Sequence, residues 1–254
     1  MTPLEFGLLV LAGIAAGLVG SIAGLASLFS YPALLATGVP PLTANVTNTV
    51  ALVFNGLGAV SASRPELTGQ RARMVRLGVA GVLGGAVGAA LLLLTPSGAF
   101  EKLVPFLIGA ASAAILVQRP PRELAAEGAA RHPQRDHWAL VPGTFVVSIY
   151  GGYFGAAAGV LMLAMFLLVT GEGLPRGNAL RNVVLGTANA VAALGYAVFA
   201  DVAWFAVLPL AMGLFVGGRL GPRVVRRVRQ TLLRRLIAVA GLGLALHLGI
   251  DAFG

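Results

Sequence analysis

The sequence predicts an all-α integral membrane protein made of two inverted repeats, each a glycine-broken helical hairpin plus three transmembrane helices. Three observations lead to this fold class: apolar composition, long uncharged stretches and an internal duplication. Of the 254 residues, 57% are hydrophobic and only 11% are charged, whereas soluble domains have about 25% charged residues. No charged residue occurs from Phe6 to Ser63 or from His137 to Gly171. Stretches of this length are typical of chains that cross a membrane several times.

The duplication is carried by polar and glycine positions inside the apolar segments. The matches are Asn48/Asn55 with Asn182/Asn189, Gly20–Gly24 with Gly155–Gly159, and Gly84–Gly88 with Gly217–Gly221, at offsets of 134, 135 and 133. Three matches in one order indicate a repeated unit of about half the chain, a pattern typical of secondary transporters. We therefore expect a first transmembrane repeat at 1–120, a cytoplasmic linker at 121–137 and a second transmembrane repeat at 138–254.

Two of the apolar segments are too long for one crossing. The predicted segments are 4–38, 42–63, 74–94, 103–118, 138–170, 178–200, 202–218 and 232–250. A crossing takes about 20 residues, while the first and fifth segments have 35 and 33. Glycine inside a helix costs about 1 kcal/mol relative to alanine, so glycine clusters favour a break. The expected helix-break glycines are Gly17, Gly20, Gly24, Gly151, Gly152, Gly155 and Gly159.

The arginines predict the topology. They concentrate in the loops 64–76, 119–137, 171–181 and 219–235, and the last of these holds seven. If both long segments enter and return to the same side, every arginine-rich loop lies in the cytoplasm, as the positive-inside rule requires. Both termini are then periplasmic, and three crossings in each repeat invert the second half relative to the first. Re-entrant hairpins and full double crossings both remain open, because they give the same parity.

Several functional classes are excluded by composition. The chain has no cysteine, which removes disulfides and thiolate chemistry, and no catalytic triad, buried carboxylate pair or histidine cluster predicts an enzyme, a metal or a cofactor. The net charge is +9, but the arginines lie in short loops, so we expect no nucleic-acid partner. The basic segment 223–235 is expected to contact anionic lipid at the cytoplasmic face.

The candidate substrate-binding residues are the polar side chains inside the apolar segments. They are Thr47, Asn48, Thr49, Asn55, Arg181, Asn182, Thr187 and Asn189. Buried amides and hydroxyls either fasten helices together or line a substrate path, and both interpretations stay open. An arginine just inside an apolar segment is either a snorkelling interfacial residue or an anion ligand, since guanidinium matches oxyanions bidentately. Half-helix N-termini at the breaks would add positive dipole ends.

At these residues the sequence resembles the TauE/SafE family of membrane transporters, the sulfite exporters, over nearly the whole chain. The resemblance is carried by Gly17–Gly24, Tyr31-Pro32, Gly38–Pro41, Ala44–Thr49, Arg64–Leu67, Asn178–Asn182, Ala188–Ala192 and Asp201–Trp204. The sequence departs from the family at Ser21-Ile22-Ala23, where relatives carry more glycine, and at Asn48, where many have serine. Both departures bear on which anion is preferred. The resemblance implies export of sulfite, sulfonates or other small organic anions.

The leading hypothesis is a transporter of the bacterial inner membrane that exports a small anion, such as sulfite or an organosulfonate, by alternating access. The anion would bind near mid-membrane between the two glycine hairpins. The alternatives are a transporter of small carboxylates or other anions, an anion channel, and a non-transporting membrane scaffold.

Overall fold

The computed structural model describes residues 1–131, 138–224 and 230–253, and within them the chain forms helices and short connections without strands. The helices are α1 (Pro3–Ala23), α2 (Ser27–Ala36), α3 (Pro41–Ala62), α4 (Arg64–Leu67), α5 (Arg71–Leu93), α6 (Ser97–Val117), α7 (Pro121–Arg131), α8 (Leu140–Tyr153), α9 (Ala158–Thr170), α10 (Leu174–Phe199), α11 (Trp204–Val224) and α12 (Gln230–Phe253). The all-helical prediction is confirmed.

Six of the described helices, α1, α5, α6, α10, α11 and α12, are long and apolar enough to cross a membrane. Helix α3 is as long, with 22 residues, but its threonines and asparagines lower its hydropathy and it is not among the six. Residues 44–52 of α3 are all buried, so neighbouring helices shield its polar groups. By contrast, Leu236, Val239, Leu246 and Ile250 on α12 are each 61–67% exposed, as expected of a lipid-facing surface.

Both long apolar segments contain a break, and each break is shorter than predicted and begins later. Helix α1 continues through Gly17 and Gly20 and ends at Gly24, which has a φ of 79°. Helix α8 continues through Gly151 and Gly152 before Gly155, with a φ of 78°. Gly159 lies in the first turn of α9. Glycine adopts a positive φ without the steric cost that a β-carbon imposes, which explains why the chain turns at Gly24 and Gly155.

The remaining glycines of these clusters serve helix packing instead. A β-carbon on Gly17 would lie 2.5 Å from the carbonyl oxygen of Leu214, and one on Gly152 would lie 2.5 Å from that of Gly85. The positive φ values also make Gly24 and Gly155 equivalent, at an offset of 131. The predicted match of Gly20–Gly24 with Gly155–Gly159 is therefore wrong by about one helical turn.

The first helix of each half packs along the last helix but one of the other half. The two pairs are α1 with α11 and α8 with α5. Gly13 and Gly17 of α1 lie against residues 210–218 of α11, and Gly84 and Gly88 of α5 lie against residues 145–153 of α8. In both pairs the residue numbers rise together, so α1 runs parallel to α11 and α5 runs parallel to α8. These close backbone approaches need small residues, as is common in membrane helices.

Helices α6 and α12, which close the two halves, run antiparallel to each other. Pro105 of α6 lies near Gly249 of α12, and Ser112 lies near Gly241 at the other end of the contact. Two equivalent helices related by an axis in the membrane plane must run in opposite directions. The antiparallel contact is thus the one that an inverted arrangement requires.

The connection between the halves contains a helix that the sequence did not predict. Helix α7 packs on α9, with Gly128 against the backbone of Leu167 and Leu124 buried. On the same face of the protein, Arg176 donates to the carbonyl oxygen of Thr68 at 3.2 Å, which joins two of the arginine-rich loops. Several arginines of these loops lie outside the described residues: Arg135, Arg226, Arg227 and Arg229.

Candidate functional site

The candidate site is a cavity where α3 and α10 cross near their middles, with Gly56 against Gly186. The cavity measures about 450 Å³, including its open mouth. Its walls come from α3, α10 and the ends of both hairpin breaks: Gly20, Gly24, Ala26, Ser27, Leu52, Asn55, Gly56, Gly155, Gly159, Arg181, Asn182, Leu185, Gly186 and Asn189. Seven of the fourteen are small (glycine or alanine), and these bring backbone close to the space that they enclose.

Arg181 is the most deeply buried charged residue that the structure describes, with 1% of its surface exposed. Its Nη2 donates to the carbonyl oxygens of Gly20 at 3.0 Å and Ser21 at 2.9 Å, and to Oδ1 of Asn182 at 2.6 Å. The two carbonyls belong to the C-terminal end of α1, where the helix dipole is negative. One edge of the guanidinium is thus held by a helix end rather than by a carboxylate.

The rest of the guanidinium has no hydrogen-bond partner in the part of the chain that the structure describes. Within the described residues, Nε and Nη1 of Arg181 are buried and form no hydrogen bond. No carboxylate in that part of the chain lies within salt-bridge distance of them. A β-carbon on Gly24 would lie 2.5 Å from Nη1, and one on Gly159 would lie 3.2 Å away. Glycine at both breaks therefore lets the hairpins approach a cation that still has donors to offer, and a buried cation of this kind favours an anionic ligand.

Three of the four predicted asparagines line the cavity beside Arg181. They are Asn55, Asn182 and Asn189. The Nδ2 of Asn182 is buried and has no partner among the described residues, while its Oδ1 accepts from Arg181. Oδ1 of Asn55 is likewise buried without a partner there. These amides supply donors and acceptors that a bound oxyanion and its substituents can use.

Two helix N-termini meet at the same cavity. Helix α2 begins after Ala26, and helix α9 begins after Ala157, whose φ is 59°. Ala26, Ser27 and Gly159 from these first turns line the cavity. The first N–H groups of a helix have no acceptor within the helix and carry partial positive charge, so both hairpins direct positive potential at the space beside Arg181.

The other predicted site residues lie elsewhere and have partners of their own. Asn48 Oδ1 accepts from the Ser30 hydroxyl at 2.5 Å, and Asn48 Nδ2 donates to Ser27 Oγ at 3.3 Å. Thr47 accepts the N–H of Ala203 at 3.0 Å. Thr49 and Thr187 donate to carbonyls of their own helices, those of Asn45 and Val184. Gly17, Gly151 and Gly152 are not among the residues that line the cavity.

Sequence reasoning did not single out Asn45 and Asn178 as site residues. Asn178 Nδ2 donates to the carbonyl of Ser21 at 2.8 Å, and Asn45 Nδ2 donates to the carbonyl of Tyr153 at 3.0 Å. Each asparagine lies four residues after the first residue of its helix. Their offset is 133, close to the offset of 134 between the other asparagines.

The comparisons with known proteins agree with this architecture. A family model described as "Sulfite exporter TauE/SafE" matches residues 9–248. The chain belongs to this family. No solved structure matches the chain.

Curated relatives in the TauE/SafE comparison are named as transporters. "Probable membrane transporter protein YfcA" of Escherichia coli K12 is 26% identical and covers all of this chain and 93% of the relative. "Probable membrane transporter protein ORF9" of Sinorhizobium is 26% identical over 96% of this chain and 92% of the relative. A probable membrane transporter protein of Haemophilus influenzae is 28% identical over 89% of this chain and 88% of the relative. Family and relatives thus support a multi-pass membrane transporter rather than an enzyme.

Proposed function

We propose that this protein exports a small oxyanion, sulfite or an organosulfonate, across the bacterial inner membrane by alternating access between two inverted halves. The anion binds in the cavity between α3, α10 and the two hairpin breaks. The observation that carries this proposal is the guanidinium of Arg181, which is buried at the cavity with Nε and Nη1 unpartnered among the described residues.

The chemistry of the cavity supports an anion over a cation. Its described lining contains one guanidinium, three amides and two helix N-termini, and it contains no carboxylate. A tetrahedral or pyramidal oxyanion has several oxygens that accept such hydrogen bonds at once, and charge-assisted bonds are the stronger ones. The choice of a sulfur oxyanion and of export follows the description of the family.

The helix directions support the inverted arrangement and the sidedness. The parallel pairs α1/α11 and α5/α8 and the antiparallel pair α6/α12 are compatible with opposite orientation of the two halves. Arg176 and Thr68 bring two arginine-rich loops to one face, which the positive-inside rule assigns to the cytoplasm. The termini then lie in the periplasm, and 121–137 links the repeats on the cytoplasmic side.

The first test is flux through proteoliposomes that contain purified protein. Arg181→Ala removes at least two charge-assisted hydrogen bonds to the anion, each worth about 1.5–3 kcal/mol, so sulfite or sulfonate flux should fall more than about 100-fold. Arg181→Lys keeps the charge but loses the fork and should be intermediate. Arg176→Ala is the matched control, because Arg176 lies on the same helix, is 39% exposed and binds Glu172 and Thr68 instead.

A thermal-shift series of anions separates the alternatives. A ligand that binds only the folded protein must stabilise it, so the anion that raises the unfolding temperature most identifies the substrate class, carboxylates included. Exchange stimulated by anion on the far side indicates a carrier, whereas flux without such stimulation indicates a channel. Full flux in Arg181→Ala would remove Arg181 from the site. No stabilisation by any anion would favour a scaffold.

A further inference from the structure

Asn45 and Asn178 make the same kind of contact at opposite ends of the hairpin system. Each is nearly fully buried, with 1% and 2% of its surface exposed. Each donates through Nδ2 to a backbone carbonyl at the C-terminal end of the first hairpin helix of the other half: Asn178 to Ser21 of α1, and Asn45 to Tyr153 of α8. Each contact therefore joins a crossing helix of one half to the hairpin of the other.

We propose that Asn45 and Asn178 are a matched pair of positioning residues that close the anion site from opposite sides of the membrane. The proposal rests on the alternating-access function proposed above. Asn45 lies at the start of α3, at the end of the helix bundle away from the arginine-rich loops. Asn178 lies at the start of α10, two residues after Arg176 and just beyond the loop that holds Glu172. Releasing one contact widens the cavity toward one side of the membrane, and releasing the other widens it toward the opposite side.

In both contacts, only one of the two polar atoms of the asparagine amide is hydrogen-bonded among the described residues. This suits contacts that form and break. Oδ1 of Asn45 and Oδ1 of Asn178 are buried and have no partner among the described residues. A polar group that serves only to fasten helices in an apolar interior is normally satisfied at both ends, because an orphaned acceptor is costly. The closed arrangement therefore has an energetic cost on each side, and this cost brings the open state closer in free energy.

A second, narrower space lies next to Asn45. It measures about 240 Å³ and is lined by Ser27, Tyr31, Asn45, Asn48 and Phe154, among others. Ser27 also lines the main cavity. The rings of Tyr31 and Phe154 pack edge to face with their centroids 5.7 Å apart. Because Phe154 directly follows Tyr153, release of the Asn45 bond loosens this ring pair and extends the main cavity past Ser27.

On the arginine-rich side, the Asn178 contact is coupled to the anion ligand itself. The carbonyl of Ser21 accepts both Asn178 Nδ2 and Arg181 Nη2. When this side opens, the end of α1 therefore separates from both Asn178 and Arg181. An anion that engages Nε and Nη1 of Arg181 holds the guanidinium in place, which links occupancy of the cavity to closure of this side.

The test measures access to the cavity rather than transport. The chain has no cysteine, so Leu185→Cys supplies one reporter thiol in the cavity wall. A membrane-impermeant thiol reagent is added to one side or the other of oriented vesicles. In this background Asn45→Ala should raise the ratio of periplasmic to cytoplasmic labelling rates about fivefold, as expected for one lost hydrogen bond. Asn178→Ala should lower the same ratio by a similar factor.

Matched controls keep the outcome decisive. Thr144→Val removes a buried hydroxyl that bonds only Leu140 of its own helix, so it should leave the labelling ratio unchanged. If the alanine variants unfold, Asn45→Ser and Asn178→Ser preserve polarity but are too short to reach the carbonyls, and they should shift the ratio in the same opposite senses. Shifts in one common direction, or no shift in either variant, would overturn the proposal even where anion flux is normal. Opposite shifts in a protein that moves no anion would instead count against the transport function alone.

Discussion

The two hairpins differ in how their inner ends are held. The end of α1 is bound by two side chains of α10, Asn178 and Arg181, while the end of α8 is bound by two uncharged side chains, Asn45 of α3 and Tyr196 of α10. When Asn48 and Asn55 are aligned with Asn182 and Asn189, Arg181 corresponds to Thr47 of α3, which binds the N–H of Ala203 instead. Of α3 and α10, only α10 thus brings a charged side chain to the described lining of the cavity beside Arg181. This cavity lies between both hairpins, and a second buried cation there would add desolvation cost and repulsion.

The largest difference between the two hairpins is expected when the glycine at each break is replaced by alanine. Gly24→Ala introduces a positive-φ alanine, at about 1–2 kcal/mol, and its β-carbon would lie 2.4 Å from the backbone of Gly159 and 2.5 Å from Nη1 of Arg181. With overpacking added, we expect Gly24→Ala to lower the free energy of unfolding by about 2–5 kcal/mol. We also expect the anion no longer to stabilise this variant. Gly155→Ala has the same strain, but its nearest neighbour would be the Gly151 carbonyl oxygen at 3.0 Å.

Thermal unfolding with and without anion measures both effects. Gly155→Ala should lower the free energy of unfolding only by the backbone strain, about 1–2 kcal/mol, and should still be stabilised by the anion. Equal losses in the two variants, or a retained anion response in Gly24→Ala, would show that the two breaks are chemically equivalent after all.

A second prediction compares the equivalent asparagines of the two halves. Asn182 faces the cavity with an unpartnered Nδ2 among the described residues, so Asn182→Ala should weaken anion binding about tenfold or more, the value of one charge-assisted hydrogen bond. Asn48 is bound to Ser27 and Ser30. Asn48→Ala should therefore lower stability by about 1–3 kcal/mol, because it removes the hydrogen bonds of a buried amide to Ser27 and Ser30, and should change affinity little.

Titration of anion binding by calorimetry or thermal shift distinguishes these outcomes. A larger affinity loss in Asn48→Ala than in Asn182→Ala would reverse the assignment of the binding half.

The smallest predicted effect concerns the turns before α3 and α10. The first of these, residues 37–40, has no charge, whereas Glu172 in the second binds Arg176 at 2.7 Å and Arg73 at 2.9 Å. Burial alone would raise the pKa of the Glu172 carboxyl, but hydrogen bonds and charge from Arg176 and Arg73 outweigh it and hold the pKa below its ordinary value of 4.5. The carboxylate therefore stabilises the fold above about pH 4.5, and this contribution is lost as pH falls through the lowered pKa.

Unfolding temperatures of the wild type and Glu172→Gln across the acid range check this. The variant should be less stable at neutral pH, by less than about 1 kcal/mol for a partly exposed pair, and the difference should vanish in acid. A difference that stays constant with pH would remove the ion pairs as its cause.

The sequence predicted the fold class and the residues around Arg181 because charge and amides in apolar segments are rare and must be accommodated. It placed the breaks incorrectly because glycines four residues apart serve two purposes. Gly17 and Gly152 lie where helices touch, while Gly24 and Gly155 lie where the chain turns. Spacing alone does not distinguish a close backbone approach from a positive φ.

The predicted threonines lie outside the lining of the cavity. A hydroxyl inside a helix can bond a carbonyl one turn earlier, and Thr49 and Thr187 do so, which removes them from the set that a ligand needs. Asn45 and Asn178 escaped notice because their significance lies in carbonyls more than 100 residues away in the chain. Only the three-dimensional structure brings Tyr153 and Ser21 to them.

The glycine contacts between α1 and α11 have a consequence for biogenesis. Helix α1 leaves the ribosome well before residues 210–218, which form the surface that its Gly13 and Gly17 require. Until then α1 meets only lipid and early helices along that face. The first helix of each half is covered by a helix of the other half. Neither half expressed alone would therefore bury the glycine face of its first helix. Co-expressed halves should recover a stable protein only by assembling with each other.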